Sequence, residues 1–273
     1  MGLELITKLE IARKKRDKIV QEENEDDENV NVLLLSVKEQ RDQDTIPGRT
    51  GLRLWSAVFI FGENVQKREV MNKKVLELGS GTGAGGLMCI KLGASEVIFT
   101  DADEKCVSLC NQNCLLNGDF NFSSRVLHWN ARETFLAKGS FPVIVAIDVV
   151  YLEEHAKPLA ECVEYHLCGD DGVFISCCGI RRREYLEEFV KELEKRGMKV
   201  ECTSFQQGKS EEENINCTFK EVIENHKHDN ELTEDGKGYR IIRAYYKNHD
   251  TLNDLISEFV CEMNTTTIAT TII

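Results

Sequence analysis

Proline is scarce in this chain, three in 273 residues, and tryptophan is scarcer at two. With 19 glycines, so few prolines exclude a collagen-like or broadly low-complexity chain. No run of 18 apolar residues occurs, so no bilayer-spanning helix and no membrane partner are expected. The opening Met1-Gly2-Leu3-Glu4-Leu5-Ile6-Thr7 places an acid early and lacks an apolar stretch with a small-residue cleavage site. A soluble protein of the cytoplasm, extending to the nucleus, is therefore expected. Basic residues are in the minority, 34 against 47 acidic, for a formal charge of −13. Phosphate-backbone binding depends on clustered Lys and Arg, so no nucleic-acid partner is expected. CxxC pairs and HxxxH spacings are also missing. Eleven cysteines, an odd count with several inside apolar runs (Cys89, Cys177, Cys178), read as buried free thiols in a reducing compartment. Cys106, Cys110 and Cys114 recur along one helix face, but without converging ligands no metal site is expected.

What is present is a regular alternation. Leu5, Leu9, Ala12, Arg16 and Ile19 share a flank at helical spacing, so residues 3–20 are expected to be a helix. The run Glu22-Glu23-Asn24-Glu25-Asp26-Asp27-Glu28 repels itself and reads as a solvated linker. Val30–Val37 is a strand candidate, Pro47-Gly48-Arg49-Thr50-Gly51 a loop, and Leu54–Phe61 the start of a buried helix.

From Lys74 strands and helices take turns. Strands are expected at Val75–Leu78, Val97–Thr100, Arg125–Trp129, Phe141–Ile147, Val173–Cys177, Met198–Phe205 and Tyr239–Tyr246. Asp103 is placed to cap a helix running to Asn117, Pro158 lies near the start of another, and Arg183–Arg196 is amphipathic. The triplet Arg181-Arg182-Arg183 at the head of that last helix reads as a surface patch, with a place on the substrate rim as the alternative. Such repetition makes a parallel α/β sheet covered on both faces. The last two strands lack an intervening helix and should pair antiparallel at one edge. Residues 206–238 are polar and acidic with a short helix possible near Phe219–Asn225, and Leu252, Leu255, Ile256 and Phe259 suggest a final helix.

The strongest chemical signal is Glu77-Leu78-Gly79-Ser80-Gly81-Thr82-Gly83, between a strand and a helix. Glycines permit a tight turn and a close approach of ligand to backbone. Asp101 ends the next strand, where an acid accepts hydrogen bonds from ribose hydroxyls. Gly79, Gly81 and Ala84 also satisfy a dinucleotide fingerprint. Glu77 discriminates: its carboxylate would repel a pyrophosphate and suits the cationic end of S-adenosylmethionine. Asp148-Val149-Val150-Tyr151 follows the fourth strand, at the carboxyl edge where open α/β sheets bind ligands. A carboxylate and a phenol there could hold an incoming amine, although Asp148 capping the next helix is the plainer use. Trp55 and Trp129 are available as aromatic walls or as core.

Together Gly51-Leu52-Arg53-Leu54-Trp55, the glycine motif, Trp129 and Asp148-Val149-Val150-Tyr151-Leu152-Glu153-Glu154 resemble family-16 seven-β-strand protein-lysine methyltransferases. The likeness is strongest to the branch acting on 70-kDa heat-shock chaperones, and it runs from about Val30 to Tyr246. It implies a Rossmann-like seven-stranded class I methyltransferase sheet, mostly parallel with an antiparallel edge hairpin. It further implies S-adenosylmethionine contacts at Trp55, Gly79, Ser80, Gly81, Asp101, Trp129 and Ile147, the last often alanine in the family. Glu77 and Gly83 join that set from the motif itself. Asp148 and Tyr151 are implied to engage the substrate lysine. The long acidic segment Gln206 to Lys237, where that branch is short, could remodel the protein-binding face.

The expected organisation is an N-terminal helix and mobile acidic linker at 1–28, a methyltransferase domain at 29–247, and a C-terminal helix and tail at 248–273. Within the domain, 29–73 is an extension and 206–238 an acidic insertion. The expected activity is methyl transfer to lysine on a protein, such as a chaperone or translation factor, by a monomer. Arginine or histidine as acceptor, or a catalytically silent interaction module, are the alternatives.

Overall fold

The computed structural model describes residues 3–13, 31–41, 50–169, 171–206 and 238–246. Strands β3 (Lys74–Leu78), β4 (Glu96–Asp101), β5 (Phe122–Val126), β6 (Val143–Ile147) and β7 (Val173–Gly179) are parallel. β8 (Met198–Gln206) and β9 (Gly238–Tyr246) complete a seven-stranded sheet in the order β5-β4-β3-β6-β7-β9-β8. The last two strands pair antiparallel as expected, and β9 inserts antiparallel between β7 and β8.

Period-two alternation explains the two covered faces. Val75, Val97, Phe99, Val143 and Val145 join one buried cluster, with α1 (Ala57–Asn64), α3 (Ala84–Lys91) and α4 (Glu104–Asn117). Their neighbours Leu76, Ile98, Ile144 and Ala146 join the other, with α5 (Ala156–His166) and α6 (Arg183–Lys195). A short α2 (Lys67–Val70) leads into β3. Asp103 caps α4 as expected, its side chain accepting from the Lys105 N–H.

Two expectations need correction. Residues 3–13 form β1 (Leu3–Arg13), not a helix, paired antiparallel with β2 (Asn31–Arg41) over its whole length. Leu9 is buried with Leu35 and Val37, whereas Ile6 and Lys8 point outward, the period of a strand. The third parallel strand is Phe122–Val126 rather than Arg125–Trp129. Pairing ends at Asp101↔Val126, and the chain then turns so that Leu127 and Trp129 line the cavity described below. The acidic run at 22–28, the helix near Phe219–Asn225 and the one at 252–259 lie outside the described residues.

The β1–β2 hairpin is fixed by a side-chain imitation of a strand edge. Asn113 of α4 accepts from the Lys38 N–H (2.8 Å) and donates to the Lys38 carbonyl (3.1 Å). One turn later Asn117 does the same for Ser36, at 2.9 and 2.7 Å. The Asn113 amide also donates to the Thr82 carbonyl in the glycine turn (2.8 Å). Asn113→Ala would remove one buried hydrogen bond, to the Thr82 carbonyl, and two part-buried ones to Lys38, and each buried loss costs about 1–3 kcal/mol. The expected result is a melting temperature lower by several degrees and faster hydrogen exchange at the Lys38 amide. Unchanged protection at Lys38 would mean the hairpin docks through apolar contacts alone.

Candidate active site

The carboxyl ends of β3, β4 and β6 open into a cavity of about 450 Å³. Trp55, Glu77, Gly79, Ser80, Gly81, Asp101, Trp129, Ile147, Asp148 and Tyr151 all line it. Gly83 does not; with φ +79° it supplies the left-handed start of α3 behind the turn.

The turn is built from close approaches. Gly79 and Gly81 have φ of +67° and +53°, the left-handed region that a side chain penalises. A Cβ on Gly81 would stand 2.7 Å from the Gly51 carbonyl oxygen, and one on Gly79 would stand 2.7 Å from Val149 and 3.2 Å from Trp129. Ser80 holds the turn onto β4: its N–H donates to the Thr100 carbonyl and its hydroxyl oxygen accepts from the Thr100 N–H, both 2.9 Å.

Two carboxyl groups stand beside this turn. Asp101 accepts from the Gly81 N–H at 2.9 Å and the Asp103 N–H at 3.0 Å. Burial nevertheless raises its pKa, those hydrogen bonds opposing the shift. Glu77 is 2 % exposed, and its Oε2 is buried without a hydrogen-bond partner. Burial pushes its pKa from 4.5 up to about 8, against hydrogen bonds from Gly86 and Ser80, with the Asp101 charge adding to the rise.

Aromatic side chains close the other side. Trp129 meets His155 edge to face at 5.5 Å, and His155 meets Tyr151 at 4.6 Å. The Tyr151 phenol lies half-buried beside Thr50, and burial raises its pKa. Trp55 donates from Nε1 to the Thr50 carbonyl at 3.0 Å.

Asp148 adopts φ +57° at the end of β6. Strain of this kind collects at functional sites. Its carboxylate accepts from the Gly179 N–H (3.1 Å) and takes a bidentate pair of hydrogen bonds from Arg181, each 2.5 Å. Arg181 is thus the residue for which the surface-patch reading needs correction. Its side chain is 16 % exposed and packs over Trp55 at 5.0 Å, so it does not belong to a surface patch. Its place directly beyond β7, at the carboxyl edge, was the available signal. Glu39 was missed as well: fully buried, it accepts from the Leu54 N–H at 3.0 Å and so ties β2 to the segment carrying Trp55.

A model of the lysine methyltransferase family matches residues 31–196. The protein-lysine N-methyltransferase EFM3 of Chaetomium thermophilum is 29 % identical over 63 % of this chain and 55 % of its own. The calmodulin-lysine N-methyltransferase of Arabidopsis thaliana is 30 % identical over 49 % and 45 %. The chain thus spans about half the length of these relatives. Among solved structures, an S-adenosylmethionine dependent methyltransferase from Mesorhizobium loti aligns with a TM-score of 0.48 at 16 % identity, over 69 % of this chain and 97 % of that one.

Proposed function

Because this chain belongs to the lysine methyltransferase family, we propose that it transfers a methyl group from S-adenosylmethionine to a lysine side chain of a protein. The observation that carries the reading is the unpartnered Glu77 Oε2, buried in the cavity beside the glycine turn. An orphaned buried carboxyl oxygen is costly unless a donor or cation completes it. The ammonium of the methionine moiety is such a cation. The rest of the cavity fits as well. Asp101, held by the Gly81 and Asp103 amides, lines the cavity with its carboxylate as an acceptor for the ribose hydroxyls. Trp129 and Ile147 offer aromatic and aliphatic walls.

S-Adenosylmethionine supplies a sulfonium methyl, so that one N–C bond forms as one C–S bond breaks. The chain's own residues prepare the amine. A lysine with an ordinary pKa of about 10.4 must reach the site without its extra proton, which release into a desolvated cavity favours. In this reading Asp148 and the Tyr151 hydroxyl, both lining the cavity, accept its remaining N–H groups and orient the lone pair, and orientation contributes much of the rate.

The acid excess, −13 in all, favours a basic or neutral protein surface as partner over nucleic acid or an acidic membrane. Chaperones and translation factors of the cytoplasm or nucleus are the substrate classes to examine first, with the enzyme acting as a monomer.

The test is calorimetry with S-adenosylmethionine and its demethylated product, followed by tritiated S-adenosylmethionine and a cell lysate. Binding and a discrete labelled band mapped by mass spectrometry to lysine are expected. Methyl groups on arginine or histidine would reassign the acceptor. Binding without labelling would point to an interaction module, and no binding would sink the reading.

A further inference from the structure

Resting on that reading, the geometry points to Arg181 as a positioning residue. It clamps the Asp148 carboxylate and cancels its charge, so that the site accepts the substrate amine without trapping it as an ammonium.

A bare carboxylate at the acceptor site would work against the reaction. An opposite charge within a few ångströms raises an amine's pKa by about 1–3 units, and an ammonium has no lone pair with which to attack. Here both Asp148 oxygens already receive the Arg181 guanidinium, and Oδ1 receives the Gly179 N–H besides. The pair is neutral overall, yet the carboxylate keeps lone pairs that can accept from a neutral amine. The bidentate fork also fixes the plane of the carboxylate, which a point charge would not. The guanidinium also packs over the Trp55 ring at 5.0 Å.

Arg181 is the cation that pairs with the Asp148 carboxylate. The Tyr151 phenol and the Cys178 thiol have pKa values raised by burial and are neutral at physiological pH. Arg53 lies over the Trp55 ring at 5.7 Å, and Asp101, Glu154 and His155 line the same cavity.

The experiment is the pH profile of methyl incorporation from tritiated S-adenosylmethionine into the lysate proteins that the wild type labels, at saturating cofactor. Arg181→Met should move the rising limb to higher pH by about 1–3 units, with a loss of at least about tenfold near pH 7.5. Cofactor affinity measured by calorimetry should hold. Arg181→Lys should restore the position of the limb while reaching a lower plateau. If Arg181→Met does not fold, the neutral Arg181→Gln carries the same expectation. An unshifted limb, or faster transfer at neutral pH because Arg181 had been competing with the lysine, overturns this proposal alone. Wild-type protein that labels nothing at any pH overturns the transfer reading and the proposal together.

Discussion

Glu77→Gln is expected to weaken S-adenosylmethionine binding by roughly thirtyfold or more while making the free protein more stable at alkaline pH. Both effects follow from one buried carboxyl group. Burial raises the folded-state pKa of Glu77 from 4.5 to about 8. Between those values the folded protein holds a proton that the unfolded chain has released, so stability declines as pH rises through the window. The loss is absent below about pH 4 and complete above about pH 9, and it amounts to a few kcal/mol. Glutamine has nearly the same shape and cannot ionise, so it escapes the loss. Melting temperatures of the two proteins should therefore coincide near pH 4.5 and separate by several degrees near pH 8.5. A bound ammonium would reverse the preference of Glu77 and favour its ionised form. Cofactor binding near neutral pH should then release a proton, seen in calorimetry as a dependence on buffer ionisation enthalpy, and affinity should climb until about pH 8. A glutamine variant that binds as tightly as wild type and melts identically would remove Glu77 from the cofactor site.

The same residue shows why the site was largely legible in the sequence. A charged side chain inside the strand Val75-Leu76-Glu77-Leu78 breaks an apolar run and demands a partner, and the glycines after it announce a turn. Strands β3, β6 and β7 could be read locally because apolar residues fill both faces of a central parallel strand. The N-terminal strand could not. Leu5 and Leu9 fit a helical flank, while Leu3, Leu5, Leu9 and Ile11 fit a strand equally well. Only the partner strand at Asn31–Arg41, beyond the acidic run, decides between them. Arg181 posed a similar problem. Three consecutive arginines look alike as a charge count, and only the fold says that the first faces Asp148, whereas the second pairs with the exposed Glu184. The placement of β9 between β7 and β8 was likewise beyond local reading, because it depends on which edge the returning chain meets.

Asp148→Asn should lower methyl transfer by roughly 10²-fold, the cost of a mis-oriented reactant, while cofactor affinity stays within a few-fold of wild type. Asparagine is the informative replacement. It tolerates the left-handed backbone at φ +57°, where alanine would add strain, and its carbonyl can still accept the Gly179 N–H. What it removes is the charge. Arg181, 16 % exposed, would then face an amide whose N–H₂ group offers it no acceptor. Breaking a buried ion pair on one side costs about 3–5 kcal/mol, so a lower melting temperature is also expected. Lost activity could then be ascribed to a loosened fold. The double variant Asp148→Asn/Arg181→Met separates the two causes, because removing both members of a buried pair leaves no uncompensated charge and is often nearly neutral. Its melting temperature should return toward wild type while methyl transfer stays lost. If transfer recovered along with stability, Asp148 would serve only to tie the end of β6 to the end of β7, and orientation of the substrate amine would pass to Tyr151.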